Sequence, residues 1–147
     1  MRVVLILGTN LGNRLDNLRR AEELIGKFVG RILVKSPILE TPPFGVEKQP
    51  PFLNYGLLVE TFHPPFELLN LLKWIERRVG RYRTFRWGPR VVDVDIVEYG
   101  NVKVDTPLLK IPHPGLRDRQ FFREIYGYLN LYNRYEFKMK EKAWSSR

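Results

Sequence analysis

The chain has 147 residues and a mass of 17.5 kDa, enough for one domain with a real core. A hydrophobic fraction of 44% and an aromatic fraction of 13% exclude a disordered protein, and no apolar run approaches the ~18–20 residues of a membrane span. The net charge of +9, from 25 basic and 16 acidic residues, calls for an anionic partner, with nucleic acid the generic candidate and ATP the specific one. With no cysteine, nothing depends on disulfides. The N-terminus runs straight into a strand-like segment without a signal-peptide pattern, so a cytoplasmic location is expected.

Residues 2–8 form an apolar, β-branched strand that runs into Gly8-Thr9-Asn10-Leu11-Gly12-Asn13. This stretch has the outline of a phosphate loop but lacks the Lys-Ser/Thr of a P-loop, so a tight turn into a helix is the plainer reading. Leu15, Leu18, Ala21, Leu24, Ile25 and Phe28 recur at helical spacing, with Asn13 as N-cap and Gly30 just past the end. A second strand starts at residues 32–34, is interrupted at Pro37 as an edge or bulged position, and resumes to Thr41. Residues 41–51 hold four prolines, which makes them a shaped loop and not a floppy linker. A strand over residues 52–62 follows, with Leu57, Val59 and Thr61 alternating. Pro64-Pro65 then opens a helix to Val79 whose apolar stripe includes Leu69, Leu72, Ile75, Val79 and Trp74, the last read as core. On pattern alone Glu76 is a helix-surface acid.

Residues 80–96 read G-R-Y-R-T-F-R-W-G-P-R-V-V-D-V-D-I. Arg81, Arg83, Arg86 and Arg90 surround Trp87, and the segment then enters a strand with Val92, Val94 and Ile96 on one face and Asp93 and Asp95 on the other. An arginine-rich run is ordinarily a solvated face, and Asp-x-Asp ordinarily an exposed sheet face. Together they read differently, because two like charges on one strand face repel unless neutralised. Carboxylates two residues apart sit about 6.5–7 Å apart along a strand and can ligate one hard cation or bridge two, Mg²⁺ being the usual partner where phosphate is present. Guanidinium forks suit phosphate. Beyond the strand, Tyr99-Gly100-Asn101 makes a turn from which residues 102–104 are expected to pair back. His113 lies between prolines, where a loop role is the ordinary reading. His63 reads as a strand-end residue. Phe121, Phe122, Ile125, Tyr128, Leu129 and Tyr132 suit an amphipathic helix packed on the domain.

At Arg86-Trp87-Gly88-Pro89-Arg90 and Asp93-Val94-Asp95-Ile96 the chain resembles the 6-hydroxymethyl-7,8-dihydropterin pyrophosphokinase family of folate synthesis. Further blocks match in order: Gly8-Thr9-Asn10-Leu11-Gly12 (Thr9 standing where Ser is commoner), Thr41-Pro42-Pro43, Gln49-Pro50, Phe52-Leu53-Asn54, Pro112-His113 and Arg119-Gln120-Phe121. The match covers about residues 3–122 of a single domain spanning 1–147, with a divergent basic segment over 123–147. The resemblance implies Mg²⁺-dependent transfer of pyrophosphate from ATP to the hydroxymethyl group of the dihydropterin, with release of AMP. Asp93 and Asp95 would hold two Mg²⁺. Arg81 and Arg90 would act in catalysis alongside these acids. Glu76, Arg81, Arg83, Arg90, Ile96, His113 and Arg119 would contact ATP. Thr41, Pro42, Phe44, Phe52, Asn54, Trp87 and Phe121 would line the pterin pocket, with Phe52 and Phe121 gripping the ring. An amide at Asn54 can read a ring edge of alternating donors and acceptors.

The element order is that of two βαβ halves, an α+β, ferredoxin-like βαββαβ sandwich with extra C-terminal hairpin and helical elements. Both helices should lie on one sheet face, leaving the loops and the opposite face for the site. The reading expects a monomer that binds ATP and the dihydropterin, with no nucleic-acid or membrane partner. The rivals are a single-stranded nucleic-acid module, which such sheets also build, and a nucleotidyltransferase or phosphatase using the same two acids.

Overall fold

A computed structural model describes residues 1–43, 49–80 and 91–145, with side chains through Asn133. The elements are β1 (Arg2–Thr9), α1 (Arg14–Phe28), β2 (Gly30–Lys35), β3 (Leu39–Thr41), β4 (Phe52–Thr61), α2 (Pro65–Val79), β5 (Asp93–Tyr99), β6 (Val104–Asp105), β7 (Lys110–Ile111), α3 (Gly115–Asp118) and α4 (Gln120–Ser145). The main sheet has the order β2-β4-β1-β5 with every pair antiparallel, and β3 also pairs with β4. This is the expected βαββαβ arrangement. Its second strand is split as Pro37 foretells: between the pairs Lys35↔Leu57 and Leu39↔Asn54, residues 36–38 stand opposite only 55 and 56. Ser36 repairs the ladder there, its N–H donating to the Gly56 carbonyl (2.9 Å) and its hydroxyl accepting from the Gly56 N–H (2.7 Å).

Strand periodicity divides the sheet into two apolar faces. Val3, Leu5 and Leu7 of β1, Tyr55, Leu57 and Val59 of β4, and Val94 and Ile96 of β5 pack with Leu18, Ala21 and Ile25 of α1 and Leu68, Leu72, Ile75 and Val79 of α2. The opposite face presents Val4, Ile6, Leu58 and Val97, and these meet Phe122, Ile125 and Leu129 of α4. The face expected to lie open is therefore covered over part of its length, and the fold has three layers. Gly56 permits the close fit, since a Cβ there would lie 2.3 Å from Ile125 Cγ2 and 2.8 Å from Leu129 Cδ1. Arg2 Nη1 donates to Asn133 Oδ1, and the Tyr126 hydroxyl to Glu98 Oε2 at 2.6 Å. Asn133 thus meets the first residue of β1, and the apolar side chains of α4 pack with Val4 and Ile6 farther along that strand.

Local signals behave largely as read. Asn13 caps α1, its side chain accepting from the Asp16 N–H at 3.1 Å. Gly30 does not terminate the helix in a left-handed turn. It is the first residue of β2, and a Cβ there would meet the Glu60 carbonyl oxygen at 1.9 Å. Trp74 is not core: α2 turns Leu68, Leu72, Ile75 and Val79 inward, leaving Trp74 at the border, edge-on to the Phe28 ring at 5.2 Å. Leu15 and Phe28 are likewise exposed. His63 is a strand-end clamp, its Nε2 2.9 Å from the Phe28 carbonyl and its own carbonyl accepting from the Tyr99 hydroxyl at 2.7 Å. Residues 102–104 do not pair back onto β5. Instead β6 pairs with β7 in a separate ribbon, because the outer edge of β5 takes other partners: the Glu76 carboxylate at the Val94 N–H and the His113 N–H at the Val97 carbonyl.

The α4 layer should be integral to stability. Leu129→Ala should lower the unfolding free energy by about 2–5 kcal/mol, and Gly56→Ala by about 1–3 kcal/mol through overpacking. Both are measured by denaturant titration, and a Leu129→Ala cost below about 1 kcal/mol would mean that α4 is not part of the folded core.

Candidate active site

The carboxylates of β5 occupy the end of the sheet that α4 leaves uncovered. Asp93 and Asp95 stand opposite Gly8 and Ile6 on β1, which puts both on the α4 face, while Val94 and Ile96 between and after them enter the core on the other side. Both acids are half-buried. The sheet edge adds a third carboxyl. Glu76 of α2 reaches over to accept the Val94 N–H at 3.2 Å. Its carboxyl is pushed up from the usual 4.5 to about 8, first by burial, then by the charge of Asp93, a hydrogen bond to Asp93 and the charge of Asp95, with the Val94 amide opposing. A residue that pattern alone reads as surface acid thus lies beside Asp93 and Asp95.

His113 joins from the other side. Its backbone N–H donates to the Val97 carbonyl at 3.0 Å, where β5 carries one residue more than β1 across from it. Its Nδ1 accepts the Gly115 N–H at 2.9 Å. Since an amide can only donate, Nδ1 is unprotonated and the ring proton resides on Nε2, the atom 3.7 Å from Asp95 Oδ1. The His113 ring lies 5.0 Å from that of Phe122, which also meets the ring of Phe121 edge-on at 5.0 Å and the Arg119 guanidinium at 5.4 Å. Phe122, read from sequence only as helix packing, is the common platform for His113, Arg119 and Phe121.

Gly8 floors the space between the acids and the polar end of β4. A Cβ at Gly8 would meet Asn54 Oδ1 at 2.7 Å and Phe52 Cδ1 at 3.8 Å, so Asp93, Gly8 and Asn54 form one row across three strands with Phe52 beside it. Asn54 is buried and its amide donates to Thr41 Oγ1 at 2.7 Å. Two of the expected pterin contacts are thereby joined directly, and Pro42 follows, exposed, at the end of β3. Phe121 lies half-buried against the α4-side cluster, on the same sheet face as Phe52. Ile96 presents only its backbone to any ligand: its side chain is in the core, and by alternation its amide faces the same outer edge as that of Val94. Phe44, Arg81, Arg83, Trp87 and Arg90 lie outside the described residues.

The turn after β1 is tied to the proline-rich loop, for Asn10 Nδ2 donates to Gln49 Oε1 (3.0 Å) and Arg14 Nη1 to the Pro51 carbonyl (2.9 Å). Asn10 carries an uncompensated acceptor, its buried Oδ1 having no hydrogen-bond partner among the described residues. An Asn in a glycine-bounded turn and a Gln before paired prolines are signals from which such a tie could have been sought.

Comparison with known proteins decides the family. The sequence pattern of 7,8-dihydro-6-hydroxymethylpterin-pyrophosphokinase (HPPK) matches residues 4–130. The chain belongs to that family. It is 42% identical over 120 residues to the 2-amino-4-hydroxy-6-hydroxymethyldihydropteridine pyrophosphokinase of Aquifex aeolicus, covering 82% of this chain and 74% of that protein. It is also 42% identical over 119 residues to the mitochondrial folate synthesis bifunctional protein of Arabidopsis thaliana, covering 81% of this chain but 22% of that longer one. Among solved structures, the HPPK-DHPS protein of Plasmodium falciparum superposes with a TM-score of 0.60 at 19% identity, covering 80% of this chain and 38% of that chain, a likeness of fold. The family match passes Phe122 and extends into α4, farther than the motifs alone reach.

The donor set fits Mg²⁺. Among the described residues no three or more His, Asp or Glu side chains form a closed cation cage. Mg²⁺ seldom uses one, binding instead through one or two carboxylates and completing its shell with water and phosphate. Two half-buried acids on one strand face, with a third close enough to hold its proton to about 8, are such a set.

The Glu76 shift has a measurable sign. In the folded protein Glu76 keeps its proton up to about 8, whereas the unfolded chain releases it near 4.5, so rising pH removes stability between those values. In metal-free buffer the melting temperature of Glu76→Gln should lie close to the wild type at pH 4 and exceed it at pH 9. Thermal melts across that range check this, and parallel curves would contradict the shift.

Proposed function

We propose that the chain transfers the pyrophosphoryl group of ATP to the hydroxymethyl oxygen of 6-hydroxymethyl-7,8-dihydropterin, releasing AMP, as a step of folate synthesis. Family membership supports the reaction class. The observation that supports the residue assignment is the row Asp93–Gly8–Asn54, in which a carboxylate and a buried amide share one sheet face across three strands.

Asp93 and Asp95 would hold two Mg²⁺ ions, with Glu76 behind them. Mg²⁺ bound there neutralises phosphate charge. Asn54, oriented by Thr41, would read the edge of the heterocycle, and Phe52 and Phe121 would stack on its faces. His113 Nε2–H and Arg119 would donate to phosphate oxygens, and the edge amide of Ile96 would face the nucleotide. Arg81 and Arg90 would stabilise charge as the new bond from the hydroxymethyl oxygen to the β-phosphorus forms and the bond to the α,β-bridging oxygen breaks, with Arg83 a further phosphate contact. Phe44, Pro42 and Trp87 would close the pterin side. Such transfers rest on positioning and charge neutralisation, without a covalent enzyme intermediate.

The sheet surface that a single-stranded nucleic-acid module would expose is here covered by Phe122, Ile125 and Leu129 where it is apolar and carries carboxylates where it is open. That favours the enzyme over the binding module. Among the described residues no helix is long and apolar enough to cross a membrane. The same reading takes the chain as a cytoplasmic monomer.

AMP formation from ATP should depend on added 6-hydroxymethyl-7,8-dihydropterin. Asp93→Asn and Asp95→Asn should each lower kcat by more than about a hundredfold with unchanged far-UV circular dichroism. Phe52→Ala should raise the Kd for the pterin about tenfold, while Phe52→Tyr, which keeps the ring face, should leave it near the wild type. Pterin-independent AMP release would overturn the reaction, and near-normal turnover in either asparagine variant the metal assignment.

A further inference from the structure

Thr9 is the last residue of β1 and fully buried. Its hydroxyl donates to the Val91 carbonyl and accepts from Asn17 Nδ2 at 3.3 Å, and the same amide donates to the Leu11 carbonyl at 2.7 Å. The backbone ladder between β1 and β5 ends at Gly8↔Asp93. The Thr9 hydroxyl therefore extends the alignment of the two strands past the last paired residue, at the point where the chain enters the stretch that bears the carboxylates. On its other side Thr9 is paired with Leu53, the neighbour of Phe52 and Asn54. One buried hydroxyl, itself oriented from α1 by Asn17, thus fixes β5 relative to the strand that carries the ring-binding residues.

Among the described residues, two further contacts bear on the entry to β5. Val92 is buried in the core, but Val91 is only half-buried. Gly80, at the end of α2, comes so near Val91 that a Cβ there would lie 2.8 Å from Val91 Cβ. Buried polar groups are costly unless paired, and here Thr9 Oγ1 and Asn17 Nδ2 are paired with one another and with the carbonyls of Val91 and Leu11, in the two chain segments that border the site.

We propose that Thr9 is a positioning residue for the pyrophosphoryl transfer. By holding the Val91 carbonyl it sets the approach of β5 and with it the reach of Asp93 and Asp95 toward a metal-bound triphosphate, and Asn17 holds Thr9 in turn. The inference rests on the proposed reaction. Catalytic geometry tolerates little displacement, since shifts of about 1 Å away from the reacting atoms can cost about a hundredfold in rate. A hydroxyl that served the fold alone would lower stability when removed but leave the metal dependence of the folded fraction untouched.

Three variants separate these roles: Thr9→Val keeps the shape and removes the donor, Thr9→Ala removes it without adding a methyl group, and Thr9→Ser restores it. The measurements are the Mg²⁺ concentration giving half-maximal rate, the calorimetric Kd of a non-hydrolysable ATP analogue with Mg²⁺ and with EDTA, and the melting temperature. Val and Ala should raise the Mg²⁺ requirement and the Mg²⁺-dependent Kd about tenfold, with binding in EDTA unchanged, and Ser should behave as wild type. Wild-type Mg²⁺ dependence in both Val and Ala, or losses that only track the unfolded fraction, would overturn the proposal. If Val does not fold, Ala decides. The calorimetric arm needs no turnover: wild-type protein that binds the Mg²⁺–nucleotide yet makes no AMP overturns the proposed reaction, whereas variants that bind it as the wild type does overturn this inference.

Discussion

Three carboxyl groups share the outer edge of β5, and the surrounding fold keeps them together. Asp93 and Asp95 cannot turn away, because Val94 and Ile96 between and after them are locked in the core. Glu76 cannot withdraw, because Leu72, Ile75 and Val79 on the same helix are buried against that core. Apolar burial of about 25 cal/mol per Å² summed over these side chains outweighs the repulsion of like charges at the edge. Burial and the two neighbouring aspartates together push the Glu76 carboxyl up to about 8. A divalent cation carried by a polyphosphate is the ligand we propose for this cluster in a chain with nine surplus positive charges.

Small residues let the site and the third layer share one sheet face. Gly56 brings Ile125 and Leu129 of α4 down onto β4, and Gly8 keeps the floor clear between Asp93 and Asn54. The two glycines lie on the same face, at opposite neighbours of one register: Gly56 faces Ile6, Gly8 faces Asn54. The helix ends its cover where the polar row begins, and its first turn supplies Phe121 and Phe122. The aromatic platform and the acids are thus positioned by the same strand and helix that complete the core.

What could be read in the sequence was whatever depends on nearby residues. The alternation through residues 92–96 put both aspartates on one face, Asn13 marked the helix start and Pro37 the strand break, and ordered motif blocks led to the family. What escaped depends on long-range register. Nothing within α2 says that its Glu76 meets the free edge of a strand eighteen residues on. Nothing near Val97 says that its carbonyl will dock His113, or that this leaves no edge for residues 102–104. Trp74 departs from a core position because a broad apolar stripe does not reveal which of its borders faces solvent, and the Thr9–Val91 link spans too much chain for any local pattern to carry it. Arg81, Arg83, Arg90, Trp87 and Phe44 rest on motif alone.

The most direct test of the central claim is anomalous diffraction from crystals grown with Mn²⁺ in place of Mg²⁺ and a non-hydrolysable ATP analogue. The account predicts metal peaks within about 2.0–2.3 Å of carboxylate oxygens of both Asp93 and Asp95, bridging to the phosphates. Metal–nucleotide density bound elsewhere, with both aspartates uncoordinated, would contradict it.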